Sequence, residues 1–196
     1  MANLATVLAK EDHYAEAENL VRETLDTRRR VLGPEHPDTV HSMSHLSNLL
    51  SDEGHYAEAE KMKRETLDIQ RRVLGPEHPE TLMSMVDLSQ ILIGRREYVE
   101  ADKVLKEALD IQRRVFGPEH PQTALSTYNL ACIAARRGRQ DEALSLLRKA
   151  VDHGLPPNAD SFMGTDSDLK SLHGDPRFAA LVADAQQRAA AARKPN

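Results

Sequence analysis

The chain has 196 residues and a formal net charge of −5, and 29% of its residues are charged. That charge disfavours nucleic acid and anionic membrane as partners, because both require a basic surface. A single cysteine, Cys132, excludes an internal disulfide and is typical of a reducing compartment, so we expect a cytoplasmic protein. No apolar run reaches the roughly 18 residues of a transmembrane helix.

One heptapeptide comes back twice at a fixed distance. Residues 31–37 (VLGPEHP) return at 73–79 and, with one change, at 115–121, each time 42 residues later. Glycine can end a helix in the left-handed conformation, and proline suits the first position of the next helix. A fixed period of this length indicates stacked helical units that bury their apolar faces against one another.

The units are predicted in chain order as 1–39, 40–81, 82–123 and 124–152. In the second unit, Met43, Leu46 and Leu50 share one face of a first helix. A second stripe predicts a longer helix with a core face formed by Ala59, Met62, Thr66, Ile69 and Val73. Each unit is therefore predicted to be a helical hairpin.

The first unit is predicted to be truncated, because Met1 is in register with Met43. Because no preceding unit covers this hairpin, we expect that the chain is either a piece of a longer array or forms a weak homodimer through its N-terminal hairpin.

Residues 153–196 leave the repeat pattern and are predicted to form a helical C-terminal cap and tail. Asp166 opens a short capped helix. A longer helix has Asp175 as its cap and Pro176 at its first position.

These units resemble the tetratricopeptide repeat family in its longer, kinesin-light-chain-like form, over about residues 1–152. The resemblance rests on small and aromatic residues at matching places, which in the second unit are Gly54, Tyr56, Ala59 and Thr66. In the third unit Arg96 stands at the glycine place. The C-terminal residues Asp168, Leu169 and 175–178 look like an element that closes such arrays in bacterial proteins. The resemblance implies an all-α, right-handed solenoid with a helical C-terminal cap.

The resemblance also implies a concave groove, lined by the first helix of each unit, that holds an extended or helical peptide. Carried over by position, the lining is predicted to be Asn3, Thr6, Lys10, His41, Ser44, His45, Asn48, Asp52, Asp87, Gln90, Tyr128, Asn129, Cys132 and Arg136. Asn3 and Asn129 stand where the family often has an asparagine that binds peptide backbone, whereas His45 and Asp87 replace it in the middle units.

The sequence carries few candidates for catalytic or metal sites. The sequence contains no GxxxxGK[ST], HExxH, GxSxG or CxxC motif. The repeated His36, His78 and His120 are predicted to fix the turns between units. His41 and His45 lie four residues apart and could share a metal ion, but the spacing assures no third ligand.

We therefore predict a non-catalytic scaffold without cofactor or metal, which binds a protein or peptide in its groove. One alternative is a structural spacer or oligomerisation segment of a larger signalling protein. The other is a histidine-metal hydrolase built on His41 and His45.

Overall fold

The structure is a computed structural model that describes residues 14–155 and 163–192, with side chains described from residue 18 to residue 191 of these ranges. All its regular elements in these ranges are helices, which confirms the all-α class. The chain divides into two compact units, Met1–Glu97 and Tyr98–Asn196. None of the described helices combines the length and the apolar character that a bilayer crossing requires.

The first unit contains four described helices: α1 (Tyr14–Val31), α2 (Pro37–Asp52), α3 (Tyr56–Val73) and α4 (Pro79–Gly94). Helix α2 packs against α1, α3 and α4, and α3 also packs against α4. Met43, Leu46 and Leu50 are buried on α2 as the periodicity predicts. They join Val21 and Leu25 of α1 in one apolar core.

The second unit contains α5 (Tyr98–Val115), α6 (Pro121–Arg136), α7 (Gln140–Asp152) and α8 (Pro176–Ala192). Two short 3-10 helices, Met163–Thr165 and Ser167–Leu172, precede α8. Helix α6 packs against α5, α7 and the second 3-10 helix, and α8 packs against α7. The predicted limits of the repeats and of the cap remain predictions.

The repeated heptapeptide forms the turn between helices. Gly33, Gly75 and Gly117 have φ angles of +93°, +94° and +90°, so each ends its helix in the left-handed conformation that the sequence predicts.

The histidine of each heptapeptide is the N-cap of the following helix. The Nδ1 atom of His36 accepts a hydrogen bond from the Asp38 amide at 3.2 Å. His78 and His120 accept the corresponding bonds from Glu80 and Gln122 at 3.3 and 3.2 Å. The prediction that these histidines fix the turns is therefore confirmed.

The predicted core stripe of α3 is wrong at two places. Val73, expected in the core, is 49% exposed at the end of the helix. Lys63, which the stripe omits, is fully buried. The apolar stripe of α3 alone shows neither fact, because Val73 stands in the last turn of the helix and a lysine can be buried when it is paired.

Arg96 has a φ of +63°, which non-glycine residues rarely adopt. Gly54 and Gly138 take the same conformation 42 residues before and after, with φ of +81° and +73°. The turn therefore requires the left-handed conformation whichever residue stands there.

His78→Ala should lower the free energy of unfolding by about 1 kcal/mol, because the Glu80 amide loses its acceptor. His78→Asn restores an oxygen acceptor at the N-cap and should retain most of the stability. Urea denaturation measures both variants, and equal losses would contradict the capping role.

Arg96→Gly should raise the free energy of unfolding by about 0.5–1 kcal/mol, because glycine relieves the left-handed strain at some cost in unfolded-state entropy. Gly138→Ala is the matched control and should lower stability in the same urea experiment. If Arg96→Gly also lowers stability, the strain argument fails.

Candidate partner-binding face

One side of helix α2 is polar and open. His41, Asn48 and Asp52 are exposed and His45 is half-buried, at spacings of four, three and four residues that place them on one face. Ser44 lies beside them, also half-buried. The structure thus brings together all five residues that the sequence predicts on this helix.

Helix α4 carries the corresponding positions in the same unit. Gln90 is exposed and Asp87 is half-buried. Met83, 42 residues after His41, is 45% exposed and was not predicted. We call these residues of α2 and α4, with Met83, the partner face.

Lys63 of α3 extends from the core to the base of the partner face. Its Nζ donates to Ser44 Oγ at 3.0 Å and to Asp87 Oδ2 at 2.9 Å. One buried ammonium therefore joins α2, α3 and α4 through two residues of the face. Burial lowers the pKa of Lys63, and the neighbouring Asp87 carboxylate acts in the opposite direction.

Sequence reasoning missed Lys63, although a signal was present. At the same place in the 42-residue period the other units have Val21, Leu105 and Leu147, all apolar. A lysine at a repeated core position predicts a partner of opposite charge within reach of its ammonium. Asp87 meets that requirement.

Burial shifts the pKa values of two titratable side chains of α2. Burial lowers the pKa of His45, and the charge of His41 adds to the effect, so the neutral imidazole is favoured. Burial also raises the pKa of Asp52. Two groups of three metal-ligating side chains occur in the described ranges, and neither includes His41 or His45.

In the second unit the C-terminal segment covers part of the predicted lining. Tyr128 is 4% exposed and donates its hydroxyl to Asp166 Oδ2 at 2.6 Å. Arg136 pairs with Asp168 at 2.6 Å. Asn129 is also buried. A partner reaches the Tyr128 side chain only if its bond to Asp166 opens, whereas Arg136 remains 40% exposed beside Asp168. The sequence could not show these bonds, because they join residues more than 30 positions apart.

Cys132 lies in the same covered region. It is buried, and its Sγ is 3.8 Å from Asp166 Oδ2. Burial first, and then the Asp166 carboxylate, raise the pKa of the thiol, so it stays protonated and is a poor nucleophile.

Asp166 also organises the segment that covers α6. Its Oδ1 accepts the Asp168 amide at 2.8 Å and caps the 3-10 helix. The predicted short capped helix is confirmed, with 3-10 geometry. Asp175 accepts the Arg177 amide at 2.8 Å, as predicted for the start of α8.

Three predicted lining residues, Asn3, Thr6 and Lys10, lie outside the described residues.

The sequence matches the family model described as "Tetratricopeptide repeat" at residues 1–72 and 87–153. Comparison with curated proteins gives no match.

Solved structures with a similar fold cover nearly the whole chain. A kinesin-light-chain-type protein of Podosopora anserina, with nearly identical TPR-like repeats, has 22% identity and a TM-score of 0.77 over 99% of this chain and 95% of that one. BtubC (BKLC) of P. vanneervenii has 24% identity and a TM-score of 0.76 over 98% of this chain and 80% of that one. YrrB, a TPR protein with an unusual peptide-binding site, has 16% identity and a TM-score of 0.53 over 98% of this chain and 90% of that one.

The repeat fold of these proteins is generally a non-catalytic scaffold for protein interactions. The family model covers more than half of the sequence, and the helical hairpins agree with it. The chain therefore belongs to the tetratricopeptide repeat family.

Proposed function

We propose that this protein is a non-catalytic scaffold that holds a peptide or helix of a partner protein against the partner face. One observation carries the proposal. Helix α2 is buried against three other helices, yet it keeps a continuous polar strip, from His41 to Asp52, open to solvent. A strip that contributes nothing to the core is available for recognition.

The chemistry of the face suits a peptide backbone and mixed side chains. Asn48 and Gln90 each offer an amide donor and an amide acceptor, which is what a peptide bond requires. Met83 adds an adaptable apolar contact beside them. Both an extended strand and an amphipathic helix can use such a surface.

The second unit contributes less to the proposed binding. Tyr128 and Arg136 are held by Asp166 and Asp168 of the C-terminal segment. A partner must displace the Asp166 contact before it can reach the Tyr128 hydroxyl, and the Arg136 guanidinium is already engaged by Asp168. We therefore assign the main contacts to the first unit.

Two further proposals concern the cellular compartment and the oligomeric state. We propose that the protein works in the cytoplasm, because the thiol of its single cysteine, Cys132, is free. We also propose that weak self-association through the N-terminal hairpin accompanies binding. The alternative role, a spacer in a larger signalling protein, requires no accessible partner face.

Asn48→Ala and Gln90→Ala should each weaken a peptide selected from a random display library by about fivefold to a hundredfold, because each removes a hydrogen-bonding side chain from the interface. Both residues are exposed, so the free energy of unfolding should change by less than about 0.5 kcal/mol. Fluorescence anisotropy measures the affinity.

Asp68→Ala is the control, since Asp68 is exposed on α3 away from the partner face. It should leave the affinity unchanged. Loss of binding in Asp68→Ala together with full binding in Asn48→Ala and Gln90→Ala would refute the proposal and favour the spacer.

Asp87 is unsuitable as a binding variant because it also supports the fold. Asp87→Ala leaves the buried Lys63 ammonium without its carboxylate, which should cost on the order of 3–5 kcal/mol of stability. The double variant Lys63→Leu/Asp87→Ala should recover most of that loss. Urea denaturation measures the free energy of unfolding of the single and the double variant.

The loss in Asp87→Ala should shrink as the pH rises into the alkaline range. Burial lowers the pKa of Lys63 in the folded chain, and the Asp87 carboxylate opposes this lowering in the wild type. Without Asp87 the pKa falls further below its unfolded value, so the stability of Asp87→Ala rises more steeply with pH than that of the wild type. A loss that is independent of pH, or a double variant as unstable as the single one, would contradict the buried ion pair.

A further inference from the structure

A second concave site lies in the first unit, outside the partner face. It is a pocket of about 140 Å³ at the end of α3, next to the starts of α2 and α4. An apolar cavity of about 150 Å³ holds one benzene molecule, so the pocket has room for one side chain. We call it the end pocket, and its lining is Glu35, Pro37, Val40, Ile69, Gln70, Val73, Leu74, His78 and Glu80.

The walls of the end pocket are aliphatic and partly open to solvent. Val73 and Leu74 are large apolar residues that remain exposed, and Val40 and Ile69 are buried beside them. Apolar surface left open next to a cavity favours an occupant with an apolar stem. Val73 is exposed and not part of the core, and its side chain forms part of the wall of the end pocket.

A buried acceptor belongs to the same lining. Gln70 is 3% exposed, and its Oε1 has no hydrogen-bond partner. A buried amide oxygen without a donor is costly. Because this oxygen has almost no solvent-accessible area, a ligand in the pocket bonds it after a rotation of the Gln70 side chain, and the bond then recovers that cost. Gln112, 42 residues later in the second unit, is 2% exposed and has the same unpartnered oxygen.

The charged groups of the lining are acidic. Glu35 Oε1 already holds the Arg72 guanidinium at 2.6 Å. Glu80 is an exposed residue of the lining, and the structure gives it no ion pair among the described residues. His78 uses its Nδ1 to accept the Glu80 amide. The pocket thus combines an aliphatic wall with an amide oxygen and carboxylates as acceptors.

We propose that the end pocket binds an arginine side chain of a partner protein. The three methylenes of arginine pack against Val73 and Leu74. Its guanidinium carries five N–H donors and no acceptor, which matches Gln70 Oε1 and the Glu80 carboxylate. This site is separate from the partner face, so neither proposal depends on the other.

The test titrates n-butylguanidinium into the full chain and follows the methyl NMR signals of Ile69, Val73 and Leu74. These signals should move and saturate at millimolar concentration, with n-butanol binding about tenfold more weakly because it lacks the charge and the donor fork. Equal affinities for the two probes would overturn the proposal. So would signals that do not move.

Two variants locate the recognition. Gln70→Leu removes the buried acceptor, and Glu80→Gln removes the negative charge. The substitution Glu80→Gln introduces a glutamine, which is the residue found at the equivalent position 122 of the next repeat. Each should weaken the probe about fivefold or more. Gln112→Leu makes the same change outside the pocket and should leave these signals unaltered. Unchanged affinity in both Gln70→Leu and Glu80→Gln would overturn the assignment of the acceptors.

A third experiment distinguishes an arginine residue within a protein from free arginine as the natural ligand. An acetyl-Ala-Arg-Ala-amide peptide should bind as well as n-butylguanidinium. Free L-arginine should bind more weakly, because its carboxylate meets Glu35 and Glu80. Tighter binding of free L-arginine than of the peptide would mean a metabolite site and would overturn the proposal of a protein partner.

Discussion

The turn between helices is the constraint on which the rest of the structure depends. A glycine at positive φ ends one helix, and three residues later a histidine caps the next through its Nδ1. The geometry is nearly identical at Gly33–His36 and Gly75–His78. Because this turn fixes where α2 and α4 begin, it also fixes which of their side chains reach solvent. The partner face and the end pocket both follow from it.

Much of the fold could be predicted from the sequence, because its signals are local. The left-handed glycines and the cap at Asp175 each depend on residues a few positions apart, and the 42-residue period is read directly from the recurring heptapeptide. The apolar periodicity of α2 was sufficient to place Met43, Leu46 and Leu50 in the core. The strained Arg96 was visible in the same way, as the exception at a glycine position.

The candidate site was only partly predictable, because its decisive contacts are not local. The exposed residues of α2 follow from helix geometry, and their role in binding remains a prediction. The burial of Tyr128 depends on Asp166, 38 residues later, and no period connects the two. Lys63 and Asp87 belong to different helices, and an apolar stripe has no place for a lysine. The end pocket depends on the shape of a helix end, which hydrophobic spacing does not describe.

The first unit thus offers two surfaces of different chemistry on one set of turns. The partner face is polar, with amides and a carboxylate held by Lys63. The end pocket is aliphatic, with acidic residues in its lining and an unpartnered amide oxygen in Gln70. A crystal structure of the protein with a library-selected peptide tests the role of the partner face most directly. The peptide is expected to lie along α2 and α4, in contact with His41, Asn48 and Gln90. A peptide bound on α3 around Asp68, with the partner face empty, would contradict it.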